Sequence, residues 1–326
     1  MVFSEMTLKS YILRRILYSL FIAFGILTIT FIIVRAGPLS PVNKYLASLG
    51  VRGTPEEIVS AVEVKYGLNR PIWEQYMDYI LSLLKGDFGW SFSTSMPVIE
   101  LIKIHWIYSF QLVAMSTVLA IVLGILIGVY CARKQYSKVD YTATFLSYIG
   151  ISIPSFWLGI MLILIFSVKL GWFKTYYDTT LPIFSLQNLK ALVLPVITLS
   201  TGAIASYSRY VRASMLDSLR QDFVKFARSK GLSENTVIFK HVLRNALLPI
   251  ITIIMFDLGT MVFAGAYFTE IIFGIPGLGW ISFNAIFAGD YAIVVAVTVI
   301  SAFIILLVNL ATDLIYTYID PRVRYD

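Results

Sequence analysis

The sequence predicts an all-α integral membrane protein with six transmembrane helices. Of its 326 residues, 58% are hydrophobic and only 14% are charged, whereas a soluble domain of this length usually carries about 25% charged residues. The mean hydropathy is +0.79. The apolar residues are concentrated in runs of the roughly 20 residues that a helix needs to cross a bilayer. These runs lie at about 12–34, 107–130, 143–167, 191–207, 247–268 and 291–316.

The distribution of positive charge predicts the orientation. The first apolar run follows Lys9, Arg14 and Arg15, but it is too long for a signal peptide and no cleavage site of small residues follows it. We therefore predict a retained helix with its N-terminus in the cytoplasm. In this orientation, 16 of the 26 Lys and Arg residues lie on inner segments, as the positive-inside rule requires. The net charge of +7 thus reflects orientation in the lipid bilayer, and nucleic acid is not a predicted partner.

The predicted organisation has three parts. Residues 1–34 form an N-terminal tail and the first transmembrane helix, and residues 107–326 form a core with the other five. Residues 35–106 form a helical extracytoplasmic segment between them. Thr54 and Pro55 are typical of a helix start, and a second helix is predicted from about Pro71 to Leu84.

The stretch "FARSKGLSENTVIFKHVLRNALLP", residues 226–249, predicts a short helix on the inner side. Gly231 ends the preceding helical run, Ser233 is a suitable N-cap, and Glu234 lies in the first turn, where the helix dipole favours an acid. Two interpretations are open: a helix lying on the inner leaflet, or an element that docks on another protein. The predicted apolar face comprises Phe239, Val242, Leu243 and Ala246, and the polar rim Glu234, Asn235, Lys240 and Arg244.

Motifs along the whole chain resemble the permease subunits of ATP-binding-cassette importers, in the dipeptide and oligopeptide branch. The spacing of Gly231 and Pro249 resembles the cytoplasmic signature loop of these permeases. Other matching motifs stand in the order of that branch, and they cover essentially the complete chain. They are "YGLNRPIWEQY" (66–76), "GDFGWS" (86–91), "IPSFWLG" (153–159), "TEIIFGIPGLG" (269–279) and "DPRVR" (320–324).

This resemblance implies the type I importer permease fold, in the plasma membrane of a prokaryote. It implies that a cytoplasmic loop at about 217–246 carries a coupling helix, which sits in a cleft of an ATPase subunit. The implied partners are a second, homologous permease subunit, two ATP-binding ATPase subunits and an extracytoplasmic solute-binding protein. The residues predicted to couple to the ATPase are Gly231, Glu234, Asn235, Phe239, Lys240, Val242, Leu243 and Arg244.

The chain is not predicted to be an enzyme. It contains no G-x-x-x-x-G-K-[ST] sequence that would wrap the phosphates of a nucleotide, so ATP and Mg are expected on the partner ATPases and no cofactor on this chain. His105 and His241 are the only histidines and lie on opposite predicted faces. With Cys131 as the single cysteine, no metal site is predicted.

Asp257 is the acidic residue near the middle of a predicted span, within "IIMFDLGTMVF". An acid at this depth is costly and should face the bundle interior with a partner. One hypothesis places it on the translocation path or at the contact with a second permease, where it interacts with a substrate amine. The equally weighted alternative is a hydrogen bond to a neighbouring helix, for example to Thr198 or Ser200.

The stretch "FGIPGLGW", residues 273–280, has three glycines and a proline between the last two spans. Such a sequence predicts a tight turn, which we interpret as a folded-back loop at the outer mouth. Its contact with a solute-binding protein is implied only by the family resemblance.

The leading functional prediction is one half of the pore of an ATP-driven importer for oligopeptides or similar solutes. An importer of oligosaccharides on the same scaffold is one alternative. A secondary transporter driven by an ion gradient is another, although such proteins favour more than one ionisable residue within the membrane. The third alternative is a scaffold or receptor without transport.

Overall fold

The computed structural model describes residues 8–36, 69–91, 93–260 and 266–319. These residues are mainly helical, with one antiparallel hairpin of β1 (Trp90–Ser91) and β2 (Met96–Pro97). The N-terminal helices are α1 (Leu8–Ala36), α2 (Ile72–Leu84), α3 (Val98–Arg133), α4 (Lys138–Ser152) and α5 (Ser155–Leu162), which continues as a π-helix over Ile163–Lys169. Next come α6 (Leu186–Ala191), α7 (Val193–Leu219), α8 (Asp222–Ser229), α9 (Glu234–Thr236), a second π-helix (Val237–Val242) and α10 (Leu243–Ala246). The last helices are α11 (Leu248–Thr260), α12 (Ala266–Phe273), α13 (Leu278–Ala288) and α14 (Tyr291–Ile319).

Three of the described helices are long and apolar enough to cross a membrane, namely α1, α3 and α14. The described residues contain up to five spans if the bent pairs α4/α5 and α12/α13 each count as one. The predicted number of six and the orientation therefore remain predictions. The predicted helix at residues 71–84 is confirmed as α2, whereas the predicted helix after Thr54 and the "DPRVR" motif lie outside the described residues.

The prediction of one uninterrupted span at 143–167 is wrong. The chain turns by 103° between α4 and α5, and the break falls at Ile153 and Pro154, where the backbone is extended. Proline has no N–H to donate to the preceding turn, and its ring disfavours a helical residue before it. The same "IPSFWLG" stretch that supports the family resemblance thus encodes this bend.

The described residues divide into two compact units. The first unit combines residues up to 107 with residues 280–310. In it α1 packs on α2, with a 2.6 Å hydrogen bond between the hydroxyls of Thr28 and Tyr76 and an edge-on contact of Phe31 with Tyr76. The hairpin is held by Asp290, whose Oδ2 accepts hydrogen bonds from the hydroxyls of Ser91 at 2.6 Å and Ser93 at 2.8 Å.

The second unit, residues 108–279 with residues 311–324, is organised around α7. Helices α4 and α5 both pack on α7, and two apolar cores lie along it. The first core surrounds the N-terminal half of α7, with Leu194 and Leu199 packed near Phe273 of α12. The second core surrounds the C-terminal half, where Val211 and Met215 are fully buried.

Two glycines bring α3 into direct contact with α7. A Cβ atom at Gly124 would lie 2.6 Å from Cβ of Tyr207, and one at Gly128 would lie 2.6 Å from Cβ of Val211. Both distances are shorter than real carbon contacts allow. The close approach of the two helices therefore requires glycine, which has no Cβ atom, at both positions. Small residues are common where helices pack in membranes.

Candidate functional site

The predicted inner helix begins where the sequence indicated. Gly231 has a φ of +74°, a left-handed conformation that glycine adopts without strain. Ser233 is the N-cap, and its side chain accepts a hydrogen bond from the backbone N–H of Thr236. Both boundary predictions are confirmed, because caps of this kind depend on residues only a few positions apart.

From Glu234 to Ala246 the chain follows one continuous helical path, which we call the amphipathic segment. Its central turn, Val237–Val242, is a π-helix, and the wider turn of a π-helix places residues five apart on one side. Val237 and Val242 are accordingly both fully buried, as is Ala246 one turn further on. Together they pack into the core around Val211 and Met215.

The predicted apolar face is therefore partly wrong. Phe239 was placed on the same face as Val242, but its side chain is 51% exposed, and Ile238 is buried in its place at 3%. The prediction assumed the spacing of an ordinary α-helix. The wider π-turn at Val237–Val242 changes which residues of the segment face the core. Val242, which is predicted to couple to an ATPase, has no exposed surface in this chain and packs in the core with Val211 and Met215. Leu243 is half-buried at the edge of the same core.

The polar residues of the segment divide into two groups. Glu234 is paired with Arg228 of α8 at 2.7 Å, and this hydrogen-bonded partner lowers the pKa of Glu234. Asn235 accepts a 3.2 Å hydrogen bond from Arg133 at the end of α3. Lys240 and Arg244 are exposed. The surface open to another protein thus includes Phe239, Lys240 and Arg244. The opposite face of the segment is buried against the rest of the chain.

The amphipathic segment is also tied to α7 by a polar contact. The hydroxyl of Ser214 on α7 donates a 2.8 Å hydrogen bond to the carbonyl oxygen of Ala246. With the buried Val237, Val242 and Ala246, this contact fixes the segment to the C-terminal half of α7. A force on the exposed face would therefore reach the helix that organises the unit.

Asp257 faces a partner that the sequence analysis did not consider. Its carboxyl interacts with the hydroxyl of Tyr207 on α7, although that hydroxyl meets no partner with full hydrogen-bond geometry. Thr198 is buried and donates within its own helix to the carbonyl of Leu194, and Ser200 donates in the same way to Ile197. An uncharged partner favours the hydrogen-bond hypothesis, but the role of Asp257 remains a prediction.

We expect Asp257→Asn to retain substrate uptake, because an amide still offers an oxygen to Tyr207. Asp257→Leu removes the interaction with the Tyr207 hydroxyl and should destabilise the chain by about 0.5–1.5 kcal/mol. Thermal unfolding of the purified chain and uptake into vesicles distinguish the variants. Loss of uptake in Asp257→Asn at unchanged stability would instead favour the charge hypothesis.

Sequence reasoning missed a buried ion pair at the start of α4. Asp140 is 2% exposed and accepts hydrogen bonds at 2.6 and 2.8 Å from the guanidinium of Arg212 on α7. Asp140 also accepts from the backbone N–H of Tyr136, whose φ is +63°. The pair fixes the turn between α3 and α4. Because the two residues are 72 positions apart, no local pattern indicated it.

A second missed acid lies in α12, just before the predicted folded-back loop. Helices α12 and α13 meet at 78°, in agreement with the folded-back segment expected from "FGIPGLGW". Glu270 at this bend is fully buried, and its Oε1 accepts a 2.5 Å hydrogen bond from Ser109 while its Oε2 accepts a 2.8 Å bond from the N–H of Gly279. The hydroxyl of Ser109 accepts in turn from the N–H of Leu278. A Cβ atom at Gly277 would lie 2.4 Å from the carboxyl of Glu270, so this glycine makes room for the acid.

The described residues contain no cluster suited to metal binding. No group of three His, Cys, Asp or Glu side chains among them lies close enough together to hold a metal ion. His105 stacks on Trp280, with 6.3 Å between the ring centroids. His241 is half-buried in the amphipathic segment. What the described residues do provide is a bundle of apolar helices with a stiff, partly exposed segment fixed to one of them.

These features are those of a membrane component of a transport system. The chain belongs to the family of binding-protein-dependent transport system inner membrane components, which matches residues 124–325, and its N-terminal counterpart matches residues 8–112. The chain is 40% identical over 323 residues to the oligopeptide transport system permease protein AppB of Bacillus subtilis, covering 98% of this chain and 100% of the relative. It is 35% identical to the dipeptide transport system permease protein DppB of Alkalihalophilus pseudofirmus, covering 97% and 99%.

The solved structures give the same fold class. A structure of the MetNI methionine ABC transporter in an inward-facing conformation matches with a TM-score of 0.55, covering 68% of this chain and 97% of that one. At 20% identity this likeness supports the fold alone. The relatives are permease components, so the chain is the non-catalytic membrane component of its transport system.

Proposed function

We propose that the chain forms one half of the translocation pore of an ATP-driven importer for oligopeptides or dipeptides. The permease function follows from the family, and the peptide substrate is supported by relatives at 35–40% identity over nearly their full length. The proposed partners are a second permease subunit, two ATPase subunits that bind ATP and Mg, and an extracytoplasmic solute-binding protein. The proposed location is the plasma membrane of a prokaryote.

The observation that carries the mechanism is the way the amphipathic segment is built. One side, at Val237 and Val242, is buried against α7, and the other presents Phe239, Lys240 and Arg244 to solvent. An apolar anchor within a polar rim is typical of a protein interface. We assign this exposed side to the ATPase subunit, so that closure of the ATPases displaces the segment and α7 with it.

This arrangement converts ATP binding into a change of helix packing. The chain performs no covalent chemistry, and the two packing states must differ by a free energy that ATPase closure biases. Because α7 packs on α4, α5 and α12, its displacement alters the contacts through which the pore opens to one side or the other. Peptide enters from the binding protein in one state and leaves to the cytoplasm in the other.

We expect Phe239→Asp to release the ATPase subunits from the affinity-purified permease. Truncation of a central apolar anchor usually costs about 2 kcal/mol or more, roughly thirtyfold in affinity. Peptide uptake should fall with it, whereas the stability of the chain should change by less than about 0.5 kcal/mol because the side chain is exposed. Mass spectrometry of the purified complex, peptide uptake and thermal unfolding measure the three quantities.

Phe184→Asp is the matched control, because Phe184 is 83% exposed in a segment predicted to lie outside the cell. It should retain both the ATPase subunits and uptake. Full retention of the ATPases in Phe239→Asp would contradict the proposed docking surface. Transport of peptide by the purified chain alone, driven by an ion gradient, would contradict the proposed class of transporter.

A further inference from the structure

An apolar groove of about 440 Å³ lies between α3, α4 and α7 in the second unit. Its volume is within the range of small-ligand sites in proteins, about 300–1,000 Å³. The floor is formed where α4 and α7 touch, with Ala205 3.2 Å from the position of a Cβ at Gly150. The lining is predominantly apolar and includes Leu126, Tyr130, Val139, Ala143, Thr201 and Ala205.

The length of the groove along α4 matches the thickness of one leaflet of a bilayer. Along α4 it extends from Val139, the second residue of the helix, to Gly150. At a rise of 1.5 Å per residue this is about 16 Å, close to half of the roughly 30 Å of the hydrocarbon core. An acyl chain of one leaflet is therefore long enough to fill a groove of this length.

Two lysines lie next to the lining residues at the α3–α4 end of the groove. On α3 the lining residues Leu126, Ile127, Tyr130 and Cys131 repeat with the spacing of a helix, and the next turn of that face contains Lys134. The N–H of Lys134 donates a 3.1 Å hydrogen bond to the carbonyl of Tyr130, so the helical turn continues to it. Lys138 begins α4 directly before Val139. Both lysines are exposed.

Two described acids on the neighbouring helices are each paired with an arginine. Asp140 is buried and bound by both guanidinium nitrogens of Arg212. Glu234 is paired with Arg228 on the amphipathic segment. The turn between α3 and α4 thus places cations at the end of the apolar groove. A phospholipid, which joins an anionic head group to acyl chains, is complementary to such an arrangement.

We propose that this groove binds an acyl chain of an anionic phospholipid, with the phosphate held by Lys134 and Lys138. The lipid comes from the leaflet at the α3–α4 turn, which is the inner leaflet in the predicted orientation. A bound acyl chain fills the space between α3 and α4 and supports the packing of α4 on α7. The site is separate from the exposed face of the amphipathic segment, and the proposal does not rest on the proposed substrate or ATPase contact.

The test uses the full-length permease in its complex, in nanodiscs of phosphatidylcholine with one quarter phosphatidylglycerol. After mild delipidation, native mass spectrometry counts the phospholipids retained by each complex. We expect wild type to retain phosphatidylglycerol preferentially. The Lys134→Gln/Lys138→Gln variant should lose this preference by roughly tenfold to thirtyfold, since each cation near an anionic lipid surface contributes about fivefold. The matched control is Lys169→Gln/Lys190→Gln, two exposed lysines outside the groove, which should behave as wild type.

A second variant tests the groove itself. Ala143→Trp places an indole where the acyl chain is expected and should lower the retention of both lipids. Undiminished phosphatidylglycerol in Ala143→Trp, or in the double lysine variant, would overturn the proposal. The alternative occupant of the groove is another polypeptide. Thiol cross-linking of Val139→Cys in native membranes would detect it. Wild type is the control, because its only cysteine, Cys131, is buried. A specific cross-link from position 139 to a partner subunit would also overturn the proposal.

Discussion

Gly128→Leu is expected to prevent the accumulation of folded permease. A Cβ atom at this position would lie 2.6 Å from Cβ of Val211 and 2.7 Å from the carbonyl oxygen of Ser208. The second of these atoms belongs to the backbone of α7, so no side-chain rotation relieves the clash. Helices α3 and α7 would have to move apart at Val211, which also belongs to the core on which the amphipathic segment packs.

The smaller change Gly128→Ala should still destabilise the chain by about 1–3 kcal/mol, as overpacking does in close-packed interiors. Gly202 on α7 provides the control, because no atom lies within 4 Å of the position of its Cβ. Gly202→Ala should be neutral or stabilise the helix by up to about 1 kcal/mol. Yield, size-exclusion profile and Tm of the purified chains provide the comparison. Equal Tm values for the two alanine variants would refute the close contact.

The second large effect is expected at Glu270. Glu270→Ala removes the acceptors of the Ser109 hydroxyl and of the Gly279 N–H, both of which are buried with it. Leaving a buried donor without an acceptor costs about 1–3 kcal/mol, so we expect the chain to lose about 3 kcal/mol or more of stability and uptake to fall markedly. Opening of the bend between α12 and α13 should be detectable as faster proteolysis after Phe273.

Two further variants define the geometry of this site. The Tm of Glu270→Gln should lie between those of wild type and Glu270→Ala. The amide nitrogen of glutamine donates hydrogen bonds and cannot accept one from the donor that it faces. Gly277→Ala should lower the Tm as much as Glu270→Ala does, since the new methyl group would lie 2.4 Å from the carboxyl of Glu270. Glu100→Gln is the control: its ion pair with Lys103 is exposed, and such pairs contribute about 0–1 kcal/mol. Wild-type Tm in Glu270→Ala would contradict a structural role for this carboxyl.

The amphipathic segment shows where sequence reasoning succeeds and where it fails. Its start was predictable, because the left-handed glycine and the serine cap act on residues within one turn. Its buried face was not, since the π-turn at Val237–Val242 has no evident sequence signature and moves Phe239 to the surface. This difference matters for the proposed function, because it leaves Phe239 exposed for the proposed ATPase contact and buries Ile238 against α7.

The glycines of "FGIPGLGW" show the same division. Their number predicted a tight turn, and the 78° bend agrees with it. The turn alone did not indicate that Gly277 leaves room for the side chain of Glu270. One donor to that carboxyl is Ser109, which lies 161 positions away from Glu270 in the chain. The Asp140 and Arg212 pair was hidden for the same reason.

The sequence by itself determined that this is a helical membrane protein, which permease family it resembles, and where several of its helices begin, bend and end. These properties follow from hydropathy and from caps, prolines and glycines that act over a few residues. Only the tertiary structure decided which side of each helix is buried, which partners the buried acids have, and where a groove remains between α3, α4 and α7. The reason is that such contacts join residues distant in the chain, and their free energy depends on how closely whole helices approach one another.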